Sequence, residues 1–170
     1  MDKREQKELA WEITLILLAV YFSMVENFIP KPFPWLKFGL ANIAAMIAVQ
    51  KFGIKMGLRV TFYRVVIYGV MFATLFTPGF IISFCAGVIS TLITGVLIDL
   101  QKFSITAVSA ASGMVHNMTQ LIVVYFLLFR NIDIFERGIL IFIGGFLLMG
   151  IFSGIITGII AAKLKIIGGK

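Results

Sequence analysis

The chain has 170 residues, of which 60% are apolar and only 14% are charged, and its mean hydropathy is +1.04. This composition excludes an ordinary soluble domain, in which about 25% of the residues are charged. The net charge of +7 does not indicate a nucleic-acid partner, because the basic residues stand at the ends of apolar runs. A single cysteine, Cys85, and a single histidine, His116, argue against a disulfide framework and a metal cluster, and no cofactor is expected.

Apolar runs of about 20 residues, the length that crosses ~30 Å of hydrocarbon, recur along the chain. They predict an all-α integral membrane bundle of six transmembrane helices, forming one transmembrane domain over residues 1–170. The spans are expected at about residues 10–28, 37–50, 55–76, 80–100, 104–129 and 138–162. The second span is short and is either tilted or partly re-entrant. Pro30, Pro32 and Pro34 form a stiff loop before it, because proline cannot continue a helix.

Basic residues are distributed unequally between the two sides of this topology. With the N-terminus inside, the ten inner ones are Lys3, Arg4, Lys7, Lys51, Lys55, Arg59, Lys102, Lys163, Lys165 and Lys170. The four outer ones are Lys31, Lys37, Arg130 and Arg137. The positive-inside rule therefore predicts that both termini face the cytoplasm.

Polar residues follow one helix face of the fifth span over three turns: Ser109, Ser112, Gly113, His116, Asn117 and Gln120. Polar groups are costly in hydrocarbon, so this face is expected to point into the bundle. Two alternatives follow for its role. Interhelical hydrogen bonds on this face fix the packing, or the face lines a substrate cavity with Ser112, His116, Asn117 and Gln120 as binding residues.

Arg64 lies near the middle of the third span and carries a charge that it cannot lose. It needs either a carboxylate or an anionic ligand. Glu26 and Asp99 are the acidic residues near span ends that could serve, and Glu26 is the first candidate. At the predicted outer mouth, Lys37 and Asn42 begin the second helix directly after the proline loop, and a helix start suits an anion. These residues either anchor and cap the loop or contribute to binding.

Small residues recur at intervals of four in several spans. Gly150, Gly154 and Gly158 form a ridge on the sixth span, and Ala19 and Ser23 form a shorter one on the first. Such ridges let another backbone approach closely. They serve either packing within the chain or docking on a separate membrane subunit.

The pattern Glu26-x3-Pro30-x-Pro32-x-Pro34-x2-Lys37-x-Gly39-Leu40-Ala41-Asn42, followed by His116-Asn117-x2-Gln120, resembles a known membrane family. That family is called Gx transporter or heptaprenyl diphosphate synthase component I, and the resemblance covers roughly residues 10–162. The family is in turn similar to the substrate-binding S components of energy-coupling factor importers. The resemblance implies a bacterial six-helix membrane protein that binds a vitamin-like solute from outside.

The resemblance also implies roles for particular residues. The family's polar positions are matched by Glu26, Lys37, Asn42, His116, Asn117 and Gln120. Spans one to three would face a transmembrane coupling subunit driven by ATPases. Ala19-x3-Ser23 approximates the alanine-x3-alanine docking pattern of S components.

Catalysis is not expected. Prenyl diphosphate synthases clamp diphosphate with magnesium on aspartate-rich motifs, whereas Asp2, Asp99 and Asp133 are the only aspartates here and stand far apart. The sequence also has no P-loop. It predicts a lipid-embedded importer subunit for a small, partly apolar, anionic compound. The alternative is a membrane anchor or accessory subunit for an isoprenoid, quinone-pathway or redox enzyme.

Overall fold

A computed structural model describes residues 2–30, 39–131 and 135–167, and in this part of the chain it contains six helices and no strand. The helices are α1 (Lys3–Phe28), α2 (Asn42–Phe52), α3 (Ile54–Met71), α4 (Pro78–Asp99), α5 (Ile105–Leu128) and α6 (Arg137–Ile167). The all-α fold predicted from the apolar runs is confirmed.

α2 lies at the centre of the bundle and contacts α1, α3, α4 and α6. Its small residues make this position possible, because Ala44 and Ala48 are fully buried and let neighbouring helices approach closely. They pack with Leu15 and Ala19 of α1 and with Val60 of α3 in one apolar cluster. The cluster fixes α1, α2 and α3 as a unit at one side of the bundle.

Four helices, α1, α4, α5 and α6, are long and apolar enough to cross a membrane. α2 has 11 residues and is therefore only about 16 Å long. The segment from Gly39 to Phe52 nevertheless runs back along α1. Gly39 hydrogen-bonds to Glu26 at one end, and the ammonium of Lys51 lies 3.8 Å from the ring centre of Trp11 at the other.

α3 ends at Met71 rather than at the predicted Phe76. The intervening turn is stabilised by a hydrogen bond from the N–H of Thr74 to the carbonyl of Gly69 over 2.8 Å. Within it, Ala73 and Phe76 adopt positive φ angles of 52° and 62°. α4 then begins at Pro78, and the hydroxyl of Thr77 accepts from the N–H of Phe80 as its cap. This turn places the end of α3 and the start of α4 around one space.

The long helices expose large apolar side chains on their outer faces. On α6 these include Phe152 and Ile156, and on α1 they include Leu17 and Tyr21. Helices with apolar outer faces and polar groups turned inward satisfy the requirements of a hydrocarbon environment. One ion pair, between Arg59 and Glu12 at 3.1 Å, joins α3 to the first half of α1.

Candidate ligand-binding site

A cavity of about 150 Å³ lies at the end of the bundle where α1 and α3 finish and α4 begins. α1 contributes Ser23 and Glu26, α3 contributes Arg64 and Tyr68, and α5 reaches the cavity through His116. The segment before α2 and the turn before α4 complete the wall. An apolar cavity of about this size holds one benzene molecule, so the space suits a small ligand or a head group.

The carboxylate of Glu26 is held in the last turn of α1, where the residue is only 2% exposed. Its Oε1 accepts a hydrogen bond from the backbone N–H of Gly39 over 2.7 Å. Gly39 has a φ of +85°, and an added Cβ would lie 3.0 Å from Nδ2 of Asn42. Glycine is therefore required at this position both by conformation and by space. The contact fixes one carboxylate oxygen and joins the end of α1 to the start of α2.

Arg64 is 6% exposed and also lines the cavity. Its Nη1 donates to Oδ1 of Asn42 over 3.2 Å, and Nη2 packs on Gly87, where an added Cβ would lie 3.0 Å away. Glu26 attracts the guanidinium from a longer range. Within the described ranges, however, no carboxylate lies within 4.0 Å of it. The direct Glu26–Arg64 ion pair considered from the sequence is not formed.

The same cavity has an apolar side. Val65 and Tyr68 of α3 and Phe80 of α4 line it, and the two threonines of the preceding turn, Thr74 and Thr77, add polar groups at the rim. The Thr77 hydroxyl donates to the carbonyl of Thr74 over 2.7 Å, which fixes that rim. Two ionised side chains and an aromatic surface therefore face one small space.

His116 connects this cavity to the polar interior. Its Nδ1 lies 3.3 Å from Oγ of Ser90, and its Nε2 lies 2.9 Å from Nε2 of Gln120. The hydroxyl of Ser90 donates to the carbonyl of Gly87 over 3.1 Å. Two orientations of the Gln120 amide fit these contacts: its NH2 group donates to Nε2, or its Oε1 accepts from Nε2–H. In both orientations Gln120 fixes the plane of the imidazole ring.

Gln120 is completely buried, and its Oε1 has no hydrogen-bond partner among the residues that the structure describes. A buried amide oxygen without a partner is unfavourable by about 1–3 kcal/mol. Gln120 lies one helical turn from His116 and lines neither of the two spaces described here. Its role in this structure is to hold the His116 ring.

A smaller void of about 20 Å³ lies between α2, α4, α5 and α6, with His116 in its wall as well. This volume is enough for about one water molecule. Beside it, Oγ1 of Thr94 and Oγ of Ser112 are 2.7 Å apart, and Thr94 donates to the carbonyl of Ser90. Hydroxyl groups of α4 and α5 thus satisfy each other and leave little space for a ligand.

The predicted binding residues fall into two groups. Glu26, Arg64 and His116 line the larger cavity. Lys37 lies in residues 31–38, outside the described part of the chain. The inward orientation expected for the polar face of the fifth span is confirmed, since all its members except the half-buried Gly113 are buried. This burial shows only that the helix face points into the bundle. Binding by these residues stays a prediction.

The other predicted binding residues lie deeper. Asn42, Ser112 and Asn117 line the small void, and Asn42 also supports Arg64. Asn117 donates from Nδ2 to the backbone carbonyl of Phe146 over 2.8 Å, so it ties α5 to α6. The alternative of interhelical hydrogen bonding therefore describes Asn117 and Ser112 better than a place at the larger cavity.

Several wall residues were not singled out from the sequence as binding residues. They are Phe80 and Ser83 of α4 and the threonines of the α3–α4 turn. The turn signal Thr77-Pro78-Gly79 marks the chain reversal there. It does not show that the turn closes over the ends of α1 and α3, because that depends on how the helices pack.

The small-residue ridges are occupied within the chain. An added Cβ on Gly154 would meet the carbonyl oxygen of Ser109, and one on Gly158 would lie 2.7 Å from Cα of Thr106. Gly150 is similarly close to Gly113, so the whole ridge is packed on α5. A separate subunit could dock on these glycines only by displacing α5.

The ridge on α1 also faces inward. Ala19 is fully buried in the cluster formed by α1, α2 and α3, and Ser23 lines the larger cavity. Neither residue offers an outer face for docking in this structure. The outer face of α1 carries larger side chains such as Leu17 and Tyr21.

Within the described ranges, no three His, Cys, Asp or Glu side chains come together in a way that could hold a metal ion. The fold and the cavity together define a multi-pass, all-α membrane protein with a small cavity, lined by both charged and apolar side chains, near one end of its helices.

The family model described as heptaprenyl diphosphate synthase component I matches residues 15–164. The chain belongs to this family. The comparison with curated proteins and the comparison with solved structures each found no match.

Proposed function

We propose that this chain is the substrate-binding subunit of a membrane importer, built like an S component as one transmembrane domain over residues 1–170. Its ligand would be small and partly apolar and would carry an anionic group, as isoprenoid diphosphates, quinone precursors and several vitamins do. Its place would be the cytoplasmic membrane of a bacterium, with both termini in the cytoplasm. The ligand would then enter from the outer side, because the cavity lies at the end of α1 that is remote from its N-terminus.

One observation carries this proposal: Arg64 is buried at a cavity while its hydrogen bond within the described residues goes to a neutral amide. A buried guanidinium is costly unless its charge is compensated and its N–H groups are satisfied. Only one of its five donors has an acceptor in the described protein. An anionic group bound in the cavity would satisfy the others.

ATP-driven transport would need a partner, because the sequence of this chain contains no ATP-binding P-loop. We therefore expect a transmembrane coupling subunit with ATPases as partners. α1 to α3 are the candidate docking helices, and the exposed side chains Leu17 and Tyr21 on the outer face of α1 are available for such a contact.

A second function is favoured by the family description. The words component I of a synthase imply a further component, so the chain could instead anchor or assist a soluble enzyme of the isoprenoid pathway without catalysing a reaction itself. In that case, the Arg64 cavity would bind a lipid or precursor for the partner enzyme.

Affinity purification of the tagged chain from native membranes in mild detergent, followed by mass spectrometry, separates the two functions. The importer predicts co-purification of a membrane subunit with ATPases, together with ATP-dependent uptake that Arg64→Gln abolishes. The matched variant Arg59→Gln, on the same helix but outside the cavity, should leave uptake intact. Recovery of a soluble prenyl synthase without ATPases, and no change in uptake on deletion of the chain, would contradict the importer and favour the accessory subunit.

A further inference from the structure

Two oppositely charged side chains lie on the wall of the larger cavity. Among the described residues that line it, Glu26 is the only one with a carboxylate and Arg64 the only one with a guanidinium. Both are almost completely buried. The described part of the wall therefore presents one negative and one positive group to a ligand.

The two charges remain separate. They are not in contact as an ion pair, since the described pairs within 4.0 Å do not include them. Gly39 holds one oxygen of Glu26, and Asn42 and Gly87 position the guanidinium of Arg64. Each charge is thus held by neutral groups, and neither is cancelled by a direct ion pair with the other.

A simple monoanion fits this wall poorly. It would satisfy Arg64, but it would bring a second negative charge into a small buried space that already contains Glu26. Like charges placed close together in a buried site repel each other, and each buried charge needs an opposite partner. A simple monocation has the corresponding defect at Arg64. A molecule that carries both charges gives Glu26 and Arg64 an opposite partner each.

We propose that the ligand is a small zwitterion whose anionic group binds Arg64 and whose ammonium group binds Glu26. This inference rests on the proposed function and narrows it, because it replaces an anion by a net-neutral compound with an anionic group. Val65, Tyr68 and Phe80 would contact the apolar part. The cavity volume of about 150 Å³ limits that part to a few carbon atoms or one ring.

The test uses probes that differ only in charge. Alanine, valine, leucine and phenylalanine are each compared with the matching carboxylate that lacks the amino group and the matching amine that lacks the carboxylate. Binding to the purified full chain in detergent is measured by isothermal titration calorimetry. Glu26→Gln and Arg64→Gln remove one charge each. Glu12→Gln and Arg59→Gln are the matched controls, because these residues lie on the same helices but pair with each other outside the cavity.

We expect at least one of the four amino acids to bind roughly 100-fold more tightly than both of its analogues, as the loss of one partner of a buried charge implies. Glu26→Gln should reverse the preference in favour of the carboxylate, and Arg64→Gln should favour the amine. The control variants should keep the wild-type order.

Tighter binding of a carboxylate than of its amino acid by the wild-type protein would overturn the zwitterion and leave the importer intact. Absence of binding by all four amino acids would also overturn it. Failure of the importer proposal would instead appear as uptake that does not depend on the chain. It would not alter the order in which the amino acid, the carboxylate and the amine bind.

Discussion

Arg64 donates a hydrogen bond from Nη1 to Oδ1 of Asn42 over 3.2 Å, and this contact ties α3 to the first residue of α2. The acceptor is neutral, so the contact orients the guanidinium without cancelling its charge. A charge-assisted hydrogen bond of this kind is stronger than one between neutral groups. The position of the Arg64 guanidinium at the cavity therefore depends on an amide from another helix.

Replacing Asn42 by alanine should destabilise the protein, because Arg64 would lose its acceptor while still buried. We expect the free energy of unfolding to fall by about 1.5–3 kcal/mol, measured by denaturation in detergent micelles. Asn27→Ala is the matched control, since Asn27 lines the same cavity but is exposed. That variant should change stability by less than about 0.5 kcal/mol. Equal effects of the two variants would show that the Asn42 contact does not stabilise the protein.

Glu26 should tolerate an amide better than a truncation. In Glu26→Ala the buried N–H of Gly39 has no acceptor, which should lower the free energy of unfolding by about 1–3 kcal/mol. Glu26→Gln keeps an oxygen in the same place and should retain most of that stability. Thermal unfolding of both variants under the same conditions checks the difference. A Gln variant as unstable as the Ala variant would mean that the charge, and not the hydrogen bond, holds α1 to α2.

The contact between α5 and α6 should not tolerate side chains at its glycines. In Gly154→Val the new Cβ would meet backbone atoms of Ser109 and Ala110, so the helices must separate. We expect a loss of about 3 kcal/mol or more in unfolding free energy. Gly144→Val on the same helix is the control, because nothing lies within 4 Å of its added Cβ. If Gly154→Val folds normally but fails to assemble with partner proteins, the ridge serves docking and not internal packing.

The ion pair between Glu12 and Arg59 should contribute little. Its atoms are 3.1 Å apart, and although the side chain of Glu12 is only 10% exposed, that of Arg59 is 55% exposed, so the pair is open on the Arg59 side. A double-mutant cycle with Glu12→Gln and Arg59→Gln should give a coupling of about 0.5–1 kcal/mol. The coupling should decrease as salt is raised. A coupling of several kcal/mol that salt does not change would show that the pair is effectively buried.

The inward face of α5 could be predicted because hydrocarbon offers polar groups no hydrogen-bond partners. Ser112, His116 and Gln120 recur with helical periodicity, and all three are buried. Their individual contacts could not be predicted in the same way. Asn117 follows His116 directly, yet a rotation of about 100° along the helix directs it to α6 instead of the cavity.

The contribution of α4 was harder to predict from its sequence. Serine and threonine in an apolar helix can satisfy themselves on the preceding turn, as Ser83 does with the carbonyl of Gly79 and Thr94 with that of Ser90. The presence of such residues in the sequence therefore does not predict that they contact a neighbouring helix. The end of α3 was missed for a related reason, since the positive φ angles of Ala73 and Phe76 occur in residues that do not usually adopt them.

The central claim is that Arg64 binds the anionic group of a ligand. The most direct test is the rise in melting temperature of the purified protein across a library of small carboxylates, phosphates and zwitterions, compared between wild type, Arg64→Gln and Arg59→Gln. The account predicts a ligand that raises the melting temperature of the wild type and of Arg59→Gln but not of Arg64→Gln. A ligand that stabilises all three proteins equally, or a library in which no compound stabilises the wild type, would contradict it.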